Sequence, residues 1–184
     1  RRELDDHRRA EVRPSEGDDV MVEDFVISRT FNAPRDLVWK CFTDPERMKE
    51  WWGPKGFKVI ASKMDLRPGG SYHYGLQSPA GQPMWGKFAY REIVPPEKLV
   101  LINSFSDEKG GTTRHPGHES WPLQMLSTFT FEDLPGGKTK FTVRWGPYNA
   151  TEAEVKTFDS NRNSMTQGWS GTFEQLEAYL AKAT

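Results

Sequence analysis

The chain has 184 residues, a formal net charge of −1 and a single cysteine, Cys41. This length suits one domain with a sizeable core, and the near-zero charge argues against binding to nucleic acid or to an anionic membrane surface. A lone cysteine excludes an internal disulfide, and the sequence contains no apolar run of the roughly 20 residues that a membrane-spanning helix needs. We therefore expect a reducing, cytoplasmic location.

The first two dozen residues differ in composition from the rest of the chain. Residues 1–24 hold five arginines and nine acidic residues, with almost no large apolar side chain. Such a segment buries too little surface to offset the entropy lost on ordering. We predict a flexible charged tail over residues 1–23 and a single ligand-cavity domain over residues 24–184.

The next part of the chain predicts a strand, two short helices and a meander. Aromatic and β-branched residues over 25–31 predict the first strand. Apolar residues at helical spacing from Leu37 to Phe42 predict a short helix, and Asp44-Pro45 starts a second one that ends near Trp52. Turn sequences then separate six further β patterns, which predicts antiparallel strands at 57–66, 71–76, 84–94, 98–105, 123–132 and 138–145.

The last segment predicts a long helix. Thr151 and Glu154 have the spacing of a capping box, so a helix should begin there. The apolar residues that follow at helical spacing predict one helix of about thirty residues, about 45 Å long: Val155, Phe158, Met165, Trp169, Phe173, Leu176 and Leu180. A twisted sheet must curl to cover such a stripe. The expected fold is α+β of the helix-grip type, a curved antiparallel sheet of about seven strands wrapped around a long C-terminal helix, with the two short helices after strand one plugging one end.

Six short motifs occur along the chain in a fixed order: Phe31-Asn32-Ala33-Pro34 with Val38-Trp39, Trp51-Trp52-Gly53-Pro54, Asp65 to Gly70, Ile93 to Leu99, Trp121-Pro122 and Gly168-Trp169. Over about residues 24–182 they resemble the activator-of-heat-shock-ATPase-homologue-like domains of the START-related, birch-pollen-allergen-like (SRPBCC) helix-grip superfamily. The resemblance implies a ligand cavity between sheet and helix, but it does not fix an activity, because one fold hosts many functions. The eukaryotic co-chaperone that names the family carries a separate N-terminal chaperone-binding domain, and nothing in this chain resembles it.

Strand alternation and the helical stripe select the side chains that should face each other across the sheet–helix interface. An apolar pocket of roughly 300–1,000 Å³ between them would bind a small ligand. Plain core packing is the alternative for each residue. The predicted lining is Tyr72, Tyr74, Phe129, Phe131, Phe141, Trp145, Met165, Trp169 and Phe173.

Polar residues interrupt the helical stripe. Arg162 falls on it, and a buried guanidinium needs an anionic partner such as a ligand carboxylate or Asp65. Solvation of Arg162 beyond the edge of the sheet is the alternative. Gly168 and Gly171 each cost about 1 kcal/mol in a helix interior, which predicts close approach of the helix to a strand or to a ligand.

The loop over residues 106–122 exceeds the usual connection length, and we predict that it borders the cavity mouth as a lid, with Trp121 at its hinge. Within the loop, His115, His118 and Glu119 are residue types that bind metals. A Pro-Gly turn separates the histidines, and no fourth ligand is near in sequence. Both features favour a polar loop instead. We predict no metal and no cofactor.

The leading functional hypothesis is a protein that binds a small apolar or amphipathic molecule, since no catalytic motif is evident. The second is a cavity enzyme of the cyclase, aromatase or hydrolase type, whose acid–base groups would come from the histidines and from Asp65, Tyr72, Tyr74 and Arg162. The third is a chaperone-associated interaction module in stress response, which needs a large exposed apolar patch. We expect no nucleic-acid partner and no membrane insertion, and either a monomer or a homodimer.

Overall fold

The computed structural model describes residues 9–10 and 22–183. The strands in these residues are β1 (Arg9–Ala10), β2 (Val22–Glu23), β3 (Phe25–Phe31), β4 (Lys58–Met64), β5 (Ser71–Gln77), β6 (Pro83–Val94), β7 (Lys98–Ser106), β8 (Thr112–Thr113), β9 (Met125–Leu134) and β10 (Lys138–Pro147). The helices are α1 (Arg35–Thr43), α2 (Pro45–Trp51), α3 (Glu152–Ser160) and α4 (Arg162–Ala183).

One curved antiparallel sheet dominates the described part of the chain. Its strand order is β3-β10-β9-β7-β6-β5-β4, and the short strand β8 pairs with β7. Strand β3 pairs with β10, the last strand in sequence, with Phe31 opposite Thr139 and Phe25 opposite Trp145. The sheet covers the C-terminal helix, and both short helices lie between strands β3 and β4 in sequence. The predicted α+β helix-grip fold is therefore confirmed.

The two short helices fill one end of the space under the sheet. Phe42 of α1 stacks on Phe141 of β10 with ring centroids 4.5 Å apart, and it meets Trp51 of α2 at 4.8 Å. Cys41 is fully buried beside it, and burial raises the pKa of its thiol to about 11. A thiol that stays protonated at neutral pH is a packing group here rather than a nucleophile.

The prediction of one uninterrupted C-terminal helix is wrong. The capping box at Thr151 and Glu154 forms as expected, but α3 ends after 9 residues and α4 runs for another 22. Between them Asn161 leaves the helical conformation, with φ −113° and ψ 23°. Its side-chain amide donates to the carbonyl of Thr157 at 2.7 Å, and such local bonding competes with the helical ladder.

The charged tail predicted over residues 1–23 lies largely outside the described residues. Arg9–Ala10 pairs antiparallel with Val22–Glu23, Ala10 lying opposite Val22. Val22 is half-buried against Ala150 and Val155, so packing begins two residues before the predicted boundary at Asp24. Among the helices of the described residues, none is long and apolar enough to span a membrane.

Candidate ligand cavity

A cavity of about 470 Å³ lies between the sheet and the first half of α4. Strands β5, β6, β7, β9 and β10 supply one wall, and α4 supplies the other. The turn after α2 and the loop before β9 form the rim. The lining residues are Trp52, Gly53, Pro54, Tyr74, Leu76, Met84, Phe88, Asn103, Ser104, Phe105, His115, His118, Trp121, Pro122, Met125, Phe129, Trp145, Asn161, Ser164, Met165, Gly168, Trp169 and Thr172.

Trp169 is the central aromatic residue of this cavity wall. Only 6 % of its surface is exposed. Its ring meets Trp145 at 5.5 Å, Phe129 at 5.9 Å and Trp52 at 6.0 Å between centroids, all in edge-to-face geometry. Edge-to-face pairs add about 0.5–1.5 kcal/mol each beyond the burial of their area. The indole therefore belongs both to the core and to the cavity wall.

The predicted lining separates into two groups. Tyr74, Phe129, Trp145, Met165 and Trp169 line the cavity. The other predicted aromatic residues belong to the core beyond the end of the cavity. Phe131 and Phe141 do so because Phe42 of α1 occupies the space in front of them. Phe173 packs behind them against Phe31 and Phe141, and Tyr72 is fully buried with its hydroxyl 3.1 Å from Ser62 Oγ.

Of the two alternatives for Arg162, a buried pairing with Asp65 does not form, and neither residue lines the cavity. Asp65 lies exposed at the hairpin turn, where it accepts a hydrogen bond from Arg67 Nε at 2.8 Å. Arg162 begins α4 beyond the edge of the sheet and donates from Nε to Asp159 Oδ1 at 2.9 Å. It also donates to the main-chain carbonyls of Glu23 and Asp24, at 2.5 and 3.3 Å. The guanidinium thus ties the start of α4 to the first strands.

The long loop borders the cavity, as its length predicts. His115, His118, Trp121 and Pro122 contribute to the lining. The imidazole of His115 meets Phe105 at 4.7 Å, and Trp121 meets Phe158 of α3 at 6.3 Å between centroids. Burial, and after it the neighbouring His118, lower the pKa of His115, so this imidazole is neutral at neutral pH.

Glu154 fastens the loop to α3. Its carboxylate Oε2 accepts hydrogen bonds from Arg114 Nη1 at 2.8 Å and from the Leu123 amide at 2.7 Å, while Oε1 accepts from the Thr151 amide at 2.9 Å. Burial alone would raise the pKa of Glu154, but these hydrogen bonds outweigh it and hold the pKa below its ordinary value. A second link joins the hydroxyls of Ser120 and Thr157 at 2.7 Å.

The lining carries polar groups but no net charge. Within residues 22–183, no Asp, Glu, Lys or Arg side chain lines the cavity. Burial raises the pKa of Tyr74 to about 12. The indole N–H of Trp52 lies near the Tyr74 hydroxyl but outside hydrogen-bond geometry, so it offsets this rise in pKa only in part. The residues described contain no group of three His, Cys, Asp or Glu side chains that could hold a metal ion.

Sequence reasoning predicted the loop at the rim of the cavity, but it missed the turn after α2 and part of the cavity floor. Met84 and Phe88 lie on β6, and their even spacing along the strand was a usable signal. Trp52 and His118 come from turns far apart in sequence, and no periodicity marks them. Gly168 lines the cavity, and a Cβ added there would meet nothing within 4 Å. The predicted close approach to a strand is therefore wrong at this glycine, while close approach to a ligand stays a prediction. A Cβ added at Gly171 would lie 3.8 Å from the backbone nitrogen of Lys55.

A curved sheet that grips a C-terminal helix and leaves an apolar cavity between them defines a helix-grip domain. The sequence model of the family described as Activator of Hsp90 ATPase homolog 1-like protein matches residues 32–181. The chain belongs to this family, which confirms the resemblance carried by its motifs.

Solved structures share the same fold. A protein from Nitrosomonas europaea is 23% identical, with 87% of this chain and 95% of that chain covered and a TM-score of 0.68. An Arthrobacter aurescens protein is 25% identical over 86% of each chain, with a TM-score of 0.70. A Mycobacterium smegmatis protein is 25% identical over 84% and 88% of the two chains, with a TM-score of 0.66. No curated protein matches the chain.

Proposed function

We propose that the chain binds a small apolar or amphipathic molecule in the cavity between its sheet and α4. One observation carries this proposal: about 470 Å³ of space is walled by aromatic and aliphatic side chains and, within residues 22–183, by no charged one. Sites for small molecules usually measure roughly 300–1,000 Å³ and combine apolar walls with a few polar groups. Apolar ligand surface would gain about 25 cal/mol for each Å² removed from water.

Catalysis has less support than binding. A cavity enzyme needs acid and base groups that converge on one reacting atom. Asp65, Tyr72 and Arg162 lie outside the lining. His115 and His118 line the cavity, but within residues 22–183 no Asp or Glu side chain lines it with them. Tyr74 lines the cavity, but a pKa of about 12 prevents its hydroxyl from serving as a base near neutral pH.

An interaction module also has less support. Among the described residues, the exposed large apolar side chains are Val26, Ile60 and Leu66. Val26 lies on β3 and Ile60 on β4, which are the opposite edges of the sheet. These residues therefore form no shared apolar patch of the kind that marks a docking surface.

Native mass spectrometry of the freshly purified chain tests the proposal first. We expect a mass excess that disappears when the protein is denatured, because an apolar ligand should survive purification inside the cavity. Titration with the uncharged fluorescent probe N-phenyl-1-naphthylamine then measures binding directly, with a fluorescence increase expected on entry into the cavity.

Gly168→Leu supplies a cavity-specific variant for that titration. The added side chain enters open space beside the lining, since nothing lies within 4 Å of a Cβ at this position. Gly168→Ala is the matched control, because it removes the same glycine and fills almost none of the cavity. We expect Gly168→Leu to weaken probe binding and Gly168→Ala to leave it near the wild-type value. A wild-type protein that neither carries a molecule nor binds the probe would overturn the proposal.

A further inference from the structure

The polar groups of the cavity lining differ between its mouth and its walls. Ser164 and His118 are exposed at the mouth, where their polar groups are open to solvent. The buried and half-buried walls instead present N–H and O–H groups. The hydrogen-bond partners that these groups lack determine the chemistry of a molecule that can fill the cavity.

Three indoles of the wall have unsatisfied N–H donors. The Nε1 atoms of Trp52, Trp145 and Trp169 are buried and, within residues 22–183, have no hydrogen-bond partner. All three side chains line the cavity, and the rings of Trp145 and Trp169 are 5.5 Å apart. A buried donor without a partner destabilises the folded state, and such a group in a folded protein calls for an explanation such as a missing water or ligand.

Asn103 and His115 add further donors to the same lining. The Ser127 hydroxyl donates to Asn103 Oδ1, so the other end of the Asn103 side-chain amide, its NH2 group, is a hydrogen-bond donor in the lining. His115 Nδ1 accepts the amide N–H of Gly117 at 2.9 Å. Since this imidazole is neutral, its proton lies on Nε2, which is therefore a donor. Tyr74 keeps its hydroxyl proton and can donate as well.

We infer, on the basis of the proposed cavity binding, that the ligand is an uncharged molecule bearing a carbonyl- or ether-type acceptor oxygen. An acceptor without a proton matches the donors of Trp145, Trp169, Asn103 and Tyr74. A charged ligand is disfavoured, because an ion buried without a counter-charge loses far more hydration than hydrogen bonds to neutral groups restore.

A matched set of three-ring compounds tests this inference by displacement of N-phenyl-1-naphthylamine. Fluorene has no acceptor, 9-fluorenone adds one carbonyl oxygen to the same skeleton, and fluorene-9-carboxylate adds a charge. We expect 9-fluorenone to displace the probe at about fivefold lower concentration than fluorene, the effect of one net hydrogen bond. The carboxylate should be the weakest competitor.

Variants assign the preference to the wall donors. Trp169→Phe removes the indole N–H and keeps an aromatic ring, and Tyr74→Phe removes one oxygen atom. Each should reduce the preference for 9-fluorenone while fluorene still competes. Tyr90→Phe is the matched control, because the Tyr90 hydroxyl is also buried without a partner but does not line the cavity. It should keep the wild-type preference.

The outcomes separate this inference from the proposed function. A wild-type protein that does not bind the probe contradicts the cavity-binding function itself. A protein that binds the probe but is equally well displaced by fluorene and 9-fluorenone, or best by the carboxylate, retains the function and overturns the inference. A preference for 9-fluorenone that survives both Trp169→Phe and Tyr74→Phe also overturns it, since the donors named here would then not be its source.

Discussion

Trp169 is the residue on which both packing and binding depend. Loss of a packed aromatic side chain to alanine usually costs about 3–5 kcal/mol. One side of this indole faces space that already exists, so less new cavity is created when it is removed. We expect Trp169→Ala to lower the free energy of unfolding by about 3 kcal/mol, at the low end of that range, and to weaken binding of N-phenyl-1-naphthylamine.

Phe173 provides the comparison for that mutation, one turn further along α4. It is fully buried between Phe31 and Phe141 and does not line the cavity. Phe173→Ala should destabilise the fold by about 3–5 kcal/mol and leave probe affinity close to that of the wild type. Urea unfolding and probe titration on both variants measure the contrast. If Trp169→Ala leaves probe binding unchanged, Trp169 is core alone.

Asp24 makes stability depend on pH. Its side chain is 6 % exposed, and Arg144 Nη1 lies 3.9 Å from Oδ2. Burial raises the pKa of this carboxyl from 3.8 to about 6, although Arg144 and Arg162 oppose the rise. Because the folded-state pKa lies above the unfolded one, the associated stability is present below pH 3.8 and is lost as pH rises through about 6.

Asp24→Asn keeps this position neutral at every pH. We expect the variant to be more stable than the wild type at pH 8, by on the order of 1–2 kcal/mol after allowance for the nearby arginines. The difference should vanish by pH 4. Urea midpoints at pH 8, 6 and 4 measure it, with the exposed Asp133→Asn as control. A variant that is less stable than the wild type at pH 8 would show that the ion pair outweighs burial.

At the scale of elements, the loop over 106–122 is the part of the cavity that we predict to act as a lid. It is held by the Arg114–Glu154 hydrogen bond and by the Ser120–Thr157 hydroxyl pair, both to α3. A charge-assisted bond to a buried acceptor contributes about 1 kcal/mol or more. We predict that ligand entry past His118 and Trp121 opens these links.

Arg114→Met removes the first link and retains most of the side-chain stem. We expect amides of residues 112–121 to exchange with solvent roughly fivefold faster in the free variant, as expected for about 1 kcal/mol of lost local stability. Arg91→Met removes a guanidinium that contacts Tyr148 and no loop residue in the bonds described, and it should not change exchange in the loop. In the wild type, saturating N-phenyl-1-naphthylamine should slow the same amides. If the bound probe does not change amide hydrogen exchange in the loop, the loop is not a lid.

Elements whose apolar residues recur at a regular helical or strand spacing were predictable from the sequence. Trp169 and Phe173 follow from helical spacing, and Phe129 follows from strand alternation. The break at Asn161 was not predictable from the stripe, because Met165 resumes the same face after it. Arg162 falls on that stripe but lies past the sheet edge, and periodicity specifies a face without specifying where the facing sheet ends.

At the scale of the whole molecule, the cavity depends on contacts between distant segments. Phe42 of α1 determines that Phe131 and Phe141 are core while Phe129 also lines the cavity. Trp52 reaches the cavity from a turn more than a hundred residues before Trp169. Local patterns predict which side chains face inward, but only the assembled fold determines where the space between them remains open.

Methionine methyl groups test the cavity as a binding site most directly. Met84, Met125 and Met165 line it, whereas Met48 and Met64 belong to or border the core elsewhere. With 13C-methyl-methionine protein, titration of N-phenyl-1-naphthylamine should shift the three lining methyl resonances and give contacts from probe protons to them, while the resonances of Met48 and Met64 stay in place. Shifts confined to Met48 and Met64, or no saturable shift at all, would contradict a ligand cavity between the sheet and α4.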